Sequence, residues 1–225
     1  MKRFYVLIIL ALVAVAPKLY AQSSEGYSRG YVSYGVVDID WSKLEDVNEG
    51  LYPIKEAVSL GVLKSAQIVN ALPLHLEYGA NLQYMFGRDE SSLLGVKTTY
   101  NASNVALNVP LHASLNLSLG KVAIIPYAGV NLRVNLWGEQ ITETKIGNTL
   151  ATNELDLYDT SDKEGAAGDA AWERFQAGLS YGVALRLGAI TLSAGITSDL
   201  MPLVDRGEEL NAMAELKSVS LGFAF

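Results

Sequence analysis

The chain has two histidines, His75 and His112, and no cysteine. Nucleophilic chemistry would have to be built from these and a serine. Ser114 follows His112 with the same parity in an alternating stretch. On a strand, residues i and i+2 stand roughly 6–7 Å apart, because the rise is about 3.3 Å per residue. A nucleophile and its base need about 2.6–3.2 Å, and no Gly-x-Ser-x-Gly turn occurs. No catalytic residue is assigned, and His112 reads as a hydrogen-bonded interior residue. The other concentration of reactive groups is acidic. Between Gly138 and Ala171 lie Glu139, Glu143, Glu154, Asp156, Asp159, Asp162, Glu164 and Asp169, against Lys145 and Lys163. The run from Asp156 to Asp162 lacks the Asp/Asn spacing and the glycine of a calcium loop. No metal ligand and no cofactor are assigned. The segment reads as a solvated surface loop, and a surface ligand captured by residues 139–171 is the partner expected of it. A net charge of −7 excludes a nucleic-acid partner, which calls for a basic patch.

The elements that position these groups are strands. From 105 to 119 the odd positions are Val105, Leu107, Val109, Leu111, Ala113, Leu115, Leu117 and Leu119, while the even ones are mainly Asn, Ser, Ala and His. After a turn at Gly120-Lys121 the alternation resumes. Val122, Ile124, Pro126, Ala128, Val130, Leu132, Val134 and Leu136 share one face, and Lys121, Ala123, Ile125, Tyr127, Gly129, Asn131, Arg133, Asn135 and Trp137 share the other. Period 2 over this length is a strand signal, and the glycine turn makes it a hairpin. Each run is far longer than the usual 5–6 residues or so. The polar face is small and nearly uncharged, which suits a packed lumen better than bulk water. A membrane strand needs about 9–11 residues, so these strands span a bilayer with the apolar face in lipid.

The rest of the chain repeats the pattern. Strands are expected over Tyr27–Asp40, whose facing is ambiguous, then Lys55–Lys64, Pro73–Gly87, Trp172–Leu187, Ala189–Leu200 and Ala212–Phe225. Long polar loops are expected at Trp41–Ile54, Arg88–Ala102, Gly138–Ala171 and around Pro202–Glu208. Short connections follow the second, fourth and sixth strands. The fold expected is all-β: an eight-stranded antiparallel up-and-down transmembrane β-barrel with short turns at one end and long loops at the other. Such a barrel is just wide enough to be filled by side chains. His75, Glu77, Arg133, Arg174, Arg186 and Asp199 have inward parity and form the expected lumen network, since buried charges must be paired. Trp41, Trp137 and Trp172 fall at the outer strand ends as an aromatic girdle.

Residues 1–21 read as a secretory signal. Lys2-Arg3 is followed by an apolar core from Phe4 to Ala16 and the small-ended Leu19-Tyr20-Ala21. The barrel domain is then 22–225. Half the residues are hydrophobic and mean hydropathy is +0.20, yet no other apolar run approaches the ~18 residues that would suggest a spanning helix. Apolar residues spread over alternating strands are what an outer-membrane barrel requires.

The chain ends VSLGFAF, with Val219, Leu221, Phe223 and Phe225 on one face. This resembles the terminal assembly signal of outer-membrane barrels. The segments LPLHLEYGANLQYMFG and KVAIIPYAGVNLRVNLWG are similar to those of the outer membrane protein beta-barrel domain group, of the OmpA/OmpX-like kind. The resemblance implies outer-membrane lipid and the barrel-insertion machinery as partners, and a Gram-negative-type outer membrane as the location. It does not fix function. The reading is a non-enzymatic barrel with a structural, adhesion or binding role through its outer loops. A narrow porin-like channel for ions or small solutes is the alternative. A soluble lipocalin-like barrel would reverse the facing, and the uncharged polar face argues against it.

Overall fold

The computed structural model describes residues 26–40, 53–68, 72–119, 121–158, 172–205 and 211–225. The signal at 1–21, Trp41 and the acids from Asp159 to Asp169 lie outside them. The elements are β1 (Gly26–Asp40), β2 (Glu56–Gln67), β3 (Leu74–Leu93), β4 (Val96–Leu115), β5 (Leu117–Leu119), β6 (Val122–Ile146), β7 (Thr149–Asp156), β8 (Phe175–Leu187), β9 (Ile190–Asp199), β10 (Val204–Asp205) and β11 (Asn211–Ala224). All pairings are antiparallel. The order β1-β2-β3-β4-β6-β8-β9-β11 closes through a β1–β11 seam into a ring of eight. The short β5 continues β4 along β6, and β7 and β10 pair only with β6 and β11.

The seam runs from Arg29↔Ala224 to Asp40↔Met213 and is finished by reciprocal bonds between Ser28 and Phe225. It settles the facing of β1. Tyr27, Arg29, Tyr31, Ser33 and Val37 point inward with odd parity, and Val32, Tyr34 and Val36 point outward. Elsewhere the alternation read from the sequence sets the faces. Leu60, Val62, Leu82, Val109, Leu111, Val130, Leu132, Leu179, Val183, Leu192 and Val219 all stand exposed on the exterior, between roughly one third and three fifths accessible. Val219, Leu221 and Phe225 are part of this belt. Exposed apolar area on this scale is untenable in water and is what lipid requires.

Three expectations need correction. Arg88–Ala102 is a continuous hairpin rather than a polar loop, since β3 and β4 stay paired to Leu93↔Val96. The first part of Gly138–Ala171 is likewise a hairpin, β6 against β7, paired to Ile146↔Thr149. Because β4 also pairs with β6 up to Val96↔Ile146, these strands form a four-stranded blade standing above the barrel. The third correction is at Trp137. A β-bulge shifts the register, so that Val105 pairs with Trp137 while Ala106 pairs with Asn135. The extra residue, Leu136, reverses parity in β6. Trp137 therefore leaves the lumen face and stands outside, 44% exposed, and Gly138 turns in.

The lipid belt and the blade predict different penalties for the same substitution. Val109→Arg, in the middle of β4 on the exterior, should cost about 2–4 kcal/mol. Leu150→Arg, equally exterior but on the blade, should cost less than about 0.5 kcal/mol. Urea unfolding of vesicle-inserted protein checks this. Equal penalties would mean that lipid does not cover the exterior at Val109.

Candidate functional site: a filled lumen and a protruding blade

The lumen is packed in layers, each held by residues from several strands. At the end of the short turns, Glu77 accepts hydrogen bonds from the Tyr27 hydroxyl at 2.9 Å and from Arg29 at 3.2 Å, both partners of the ion pair being almost fully buried. Arg186 lies over the Tyr27 ring at 4.7 Å. His75 Nδ1 is 3.1 Å from the Ser65 hydroxyl. Tyr27 and Arg29 carry no unambiguous signal in the sequence, because β1 lacks clean alternation. They are the partners of Glu77 that sequence reasoning missed.

Ser65 and His75 are the serine and histidine that come within reach, and no spacing along the chain pairs them. His112 instead stacks on Tyr127, ring centroids 5.0 Å apart, with both ring nitrogens unbonded among the described residues. Tyr127 fits because Gly182 and Gly195 flank it. A Cβ at either would stand 2.6 or 2.3 Å from its hydroxyl. Glu77, the carboxylate nearest in this layer, is engaged by Tyr27 and Arg29.

The middle layer is a ladder of carboxamides. Asn131 donates to Asn108 at 3.1 Å, and Asn108 donates to Asn81 at 3.0 Å and to Gln83 at 3.4 Å. On β8, β9 and β11 the hydroxyl pairs Ser180–Thr197 and Ser193–Ser220 lie at 2.6 and 2.5 Å. A cavity of about 100 Å³ remains among Arg29, Tyr31, Asn81, His112, Tyr127 and Arg133. It is polar and large enough for several waters.

Toward the outer end Arg133 bridges Gln176 and Asp199, and the side chains of this ion pair are nearly fully buried. Asn104 donates to Asn135 at 3.0 Å, Asn135 donates to the Glu173 carbonyl at 2.8 Å, and the Tyr158 hydroxyl donates to Asn104 at 2.6 Å. Above this, an apolar seal closes the mouth: Val37, Ile54, Ala57, Met85, Ala102, Leu157, Tyr158, Trp172, Leu203 and Ala212 form one buried cluster. Trp172 is 3% exposed within it, so it is a seal residue and not a girdle residue. The cause is that β8 begins at Phe175, and the backbone before it crosses the mouth, Trp172 N–H bonding to the Leu157 carbonyl. Arg174 is also corrected. It is exposed at the rim, over the Tyr158 ring at 4.7 Å, and not in the lumen network.

The blade is the opposite kind of surface. Its charges are exposed: Lys97–Glu90 at 2.8 Å, Arg88–Glu90, and Lys55–Asp89 at 3.5 Å. Hydrogen bonds from Lys97 and then Arg88 hold the Glu90 carboxyl below its ordinary value. Among the described residues no three metal-ligating side chains gather.

Lumen and blade should respond differently to the loss of a charge. Asp199→Asn should destabilise the barrel by about 3–5 kcal/mol, since it leaves Arg133 buried and unpaired. Arg88→Ala, at an exposed pair, should cost less than about 1 kcal/mol. Thermal unfolding followed by gel migration checks both, and a small effect of Asp199→Asn would deny the pair its role as a plug. For Glu90, a lowered folded pKa means that its contribution is present above the ordinary glutamate value and lost as pH falls through the lowered one. The protection of amides at the tip of the β3–β4 hairpin, relative to their intrinsic exchange, should therefore fall as pH drops below the ordinary glutamate value, and Glu90→Gln should remove that fall.

No family model and no curated protein matches the chain. Solved structures are similar over nearly its whole length. Neisserial surface protein A is 12% identical, with 90% of this chain and 98% of that one covered and a TM-score of 0.42. The attachment invasion locus protein of Yersinia pestis is 10% identical, with 89% and 99% covered and a TM-score of 0.34. A major outer membrane protein from Thermus thermophilus is 12% identical, with 88% and 99% covered and a TM-score of 0.37. At such identities nothing transfers residue by residue, and the architecture rests on the closed ring and on the facing of this chain's own side chains. The chain is an eight-stranded antiparallel transmembrane β-barrel, similar to small outer-membrane barrels.

Proposed function

We propose that the protein is a non-enzymatic outer-membrane barrel whose role is structural and surface-directed, with the outer hairpins as its working surface. One observation carries this reading: the lumen is filled and sealed while the blade is built out. A passage would have to break the Arg133–Asp199 pair, the carboxamide ladder and the apolar cluster around Trp172 and Leu203 together. Charges buried at this depth are held only by their partners, so the wall and the plug are one structure. The barrel is thus a rigid mount that fixes β3, β4, β6 and β7 at the membrane and lets them continue beyond it.

Export by the signal at residues 1–21, insertion by the assembly machinery through the terminal Val219–Phe225 face, and capture of a ligand by the acidic segment 139–171 belong to the same proposal. Of that segment's acids, Glu139, Glu143, Glu154 and Asp156 ride on the β6–β7 hairpin, which supports their being offered to a ligand from outside.

Purified protein in planar bilayers should be electrically silent, and Asp199→Ala together with Arg133→Ala should not open it while the mouth cluster is intact. Steady unitary currents from the unmodified protein would overturn the sealed-barrel reading in favour of a channel. In cells, the protein should fractionate with the outer membrane and change its gel migration on boiling.

A further inference from the structure

The apex of the blade is apolar. Leu94 is 96% exposed, Leu93 73%, Leu150 60% and Ile146 59%. The pairing Leu93↔Val96↔Ile146↔Thr149 places Leu93, Val96 and Ile146 in one row across the three strands. The next row on the other face is Ser92↔Lys97↔Lys145↔Leu150. Leu93, Leu94, Val96 and Ile146 thus crown two hairpins, and Leu150 shares the next row with Lys97 and Lys145. Lys145 has no carboxylate partner among the described residues.

The backbone gives a second, independent sign. The β3–β4 turn is Leu94-Gly95, with φ of 51° and 82°. Two consecutive positive φ values call for Asn-Gly or a similar pair. Leu94 is the only non-glycine residue at positive φ among the described residues. A bulky residue there is strained as well as solvated. Asparagine would relieve both costs.

We propose that the apex inserts into the headgroup region of a phospholipid bilayer facing the one that holds the barrel. This deepens the surface-directed reading above and rests on its placing of the blade outside. Three features select lipid as the occupant. From Trp137, at the outer edge of the belt, β6 runs roughly 30 Å along the strand to Ile146 at about 3.3 Å per residue, so the apex stands away from its own membrane. Its apolar side chains lie in two adjacent rows on opposite faces and at the turn itself. Lys145, one row behind Ile146 and without a carboxylate partner among the described residues, lies where its ammonium reaches lipid phosphates while the tip is buried.

The test uses the purified protein in phosphatidylcholine nanodiscs, mixed with vesicles of phosphatidylcholine and phosphatidylglycerol and separated by flotation. Protein-bearing discs should float with the vesicles and empty discs should not. Leu94→Asn suits the turn, and Ile146→Thr retains a strand-forming residue. Each should lower the bound fraction about 10-fold while leaving the heat-dependent gel shift intact. Unmodified discs that stay unbound, or binding unchanged by both substitutions, would overturn the proposal. So would discs that pair with each other without vesicles, which would make a second copy the occupant. Loss of the gel shift in the unmodified protein would overturn the barrel reading itself, and with it this one.

Discussion

The β1–β11 seam is the constraint on which everything else depends. In hydrocarbon an unpaired backbone N–H or C=O has no water to turn to, so a membrane sheet must close. Here the closing strands are the first and last of the barrel, and their register runs unbroken from Ser28–Phe225 to Asp40–Met213. Until β11 arrives, β1 is paired on one side only, with β2, and its other edge is open. Tyr27 and Arg29 reach Glu77 on β3 from the other edge of β1, across β2, in the row Tyr27↔Ser65↔Glu77.

Closure at eight strands sets what the interior can be. The lumen is too narrow to be a water column and too polar in sequence to be an oily core. Its side chains answer by pairing with one another. Each layer joins residues that alternation turns inward on adjacent or next-adjacent strands: Glu77 on β3 to Arg29 on β1, Asn131 on β6 through Asn108 on β4 to Asn81 on β3, and Arg133 on β6 to Asp199 on β9. A partly satisfied network of this kind would be worse than an apolar one, which is why the cavity left over lies against His112 and Arg29, where water can complete the bonding. The outer mouth changes strategy. Ile54, Leu157, Trp172 and Leu203 come from the connecting segments and not from the walls, so the seal is made of the chain that leaves and re-enters the barrel.

The barrel was legible in the sequence because period 2 is a local property that each strand carries alone. Strand number, the lipid face of β3, β4, β6, β8 and β9, and the inward placement of Glu77, Arg133 and Asp199 all come from it. What was not legible is what depends on two strands at once. The bulge at Leu136 exists only as a mismatch between β4 and β6, and it moved Trp137 across the wall. Trp172 lies where the chain has not yet become strand, so its parity is meaningless and the seal claims it. Arg174 fails for the same reason. The Ser65–His75 contact joins neighbouring strands, and no spacing along one strand could announce it. The partners of Glu77 were hidden by the ragged alternation of β1.

The blade shows why polar composition misled where alternation did not. Arg88–Ala102 and the segment after Gly138 are rich in Thr, Ser, Asn and charge, which resembles loop chemistry. Yet threonine and tyrosine are strand formers, and a hairpin already paired within the membrane needs no new nucleation to continue upward. What stops at the membrane boundary is the demand for an apolar exterior, and so the composition changes there while the register does not. Once that demand is lifted, exposed apolar residues need a separate reason. The lower blade has few, as water requires. The apex restores them at Leu93, Leu94, Ile146 and Leu150, far along the strands from the lipid that explains the exposed leucines of the belt. The same side chains that mark the barrel's solvent below mark a second apolar contact above.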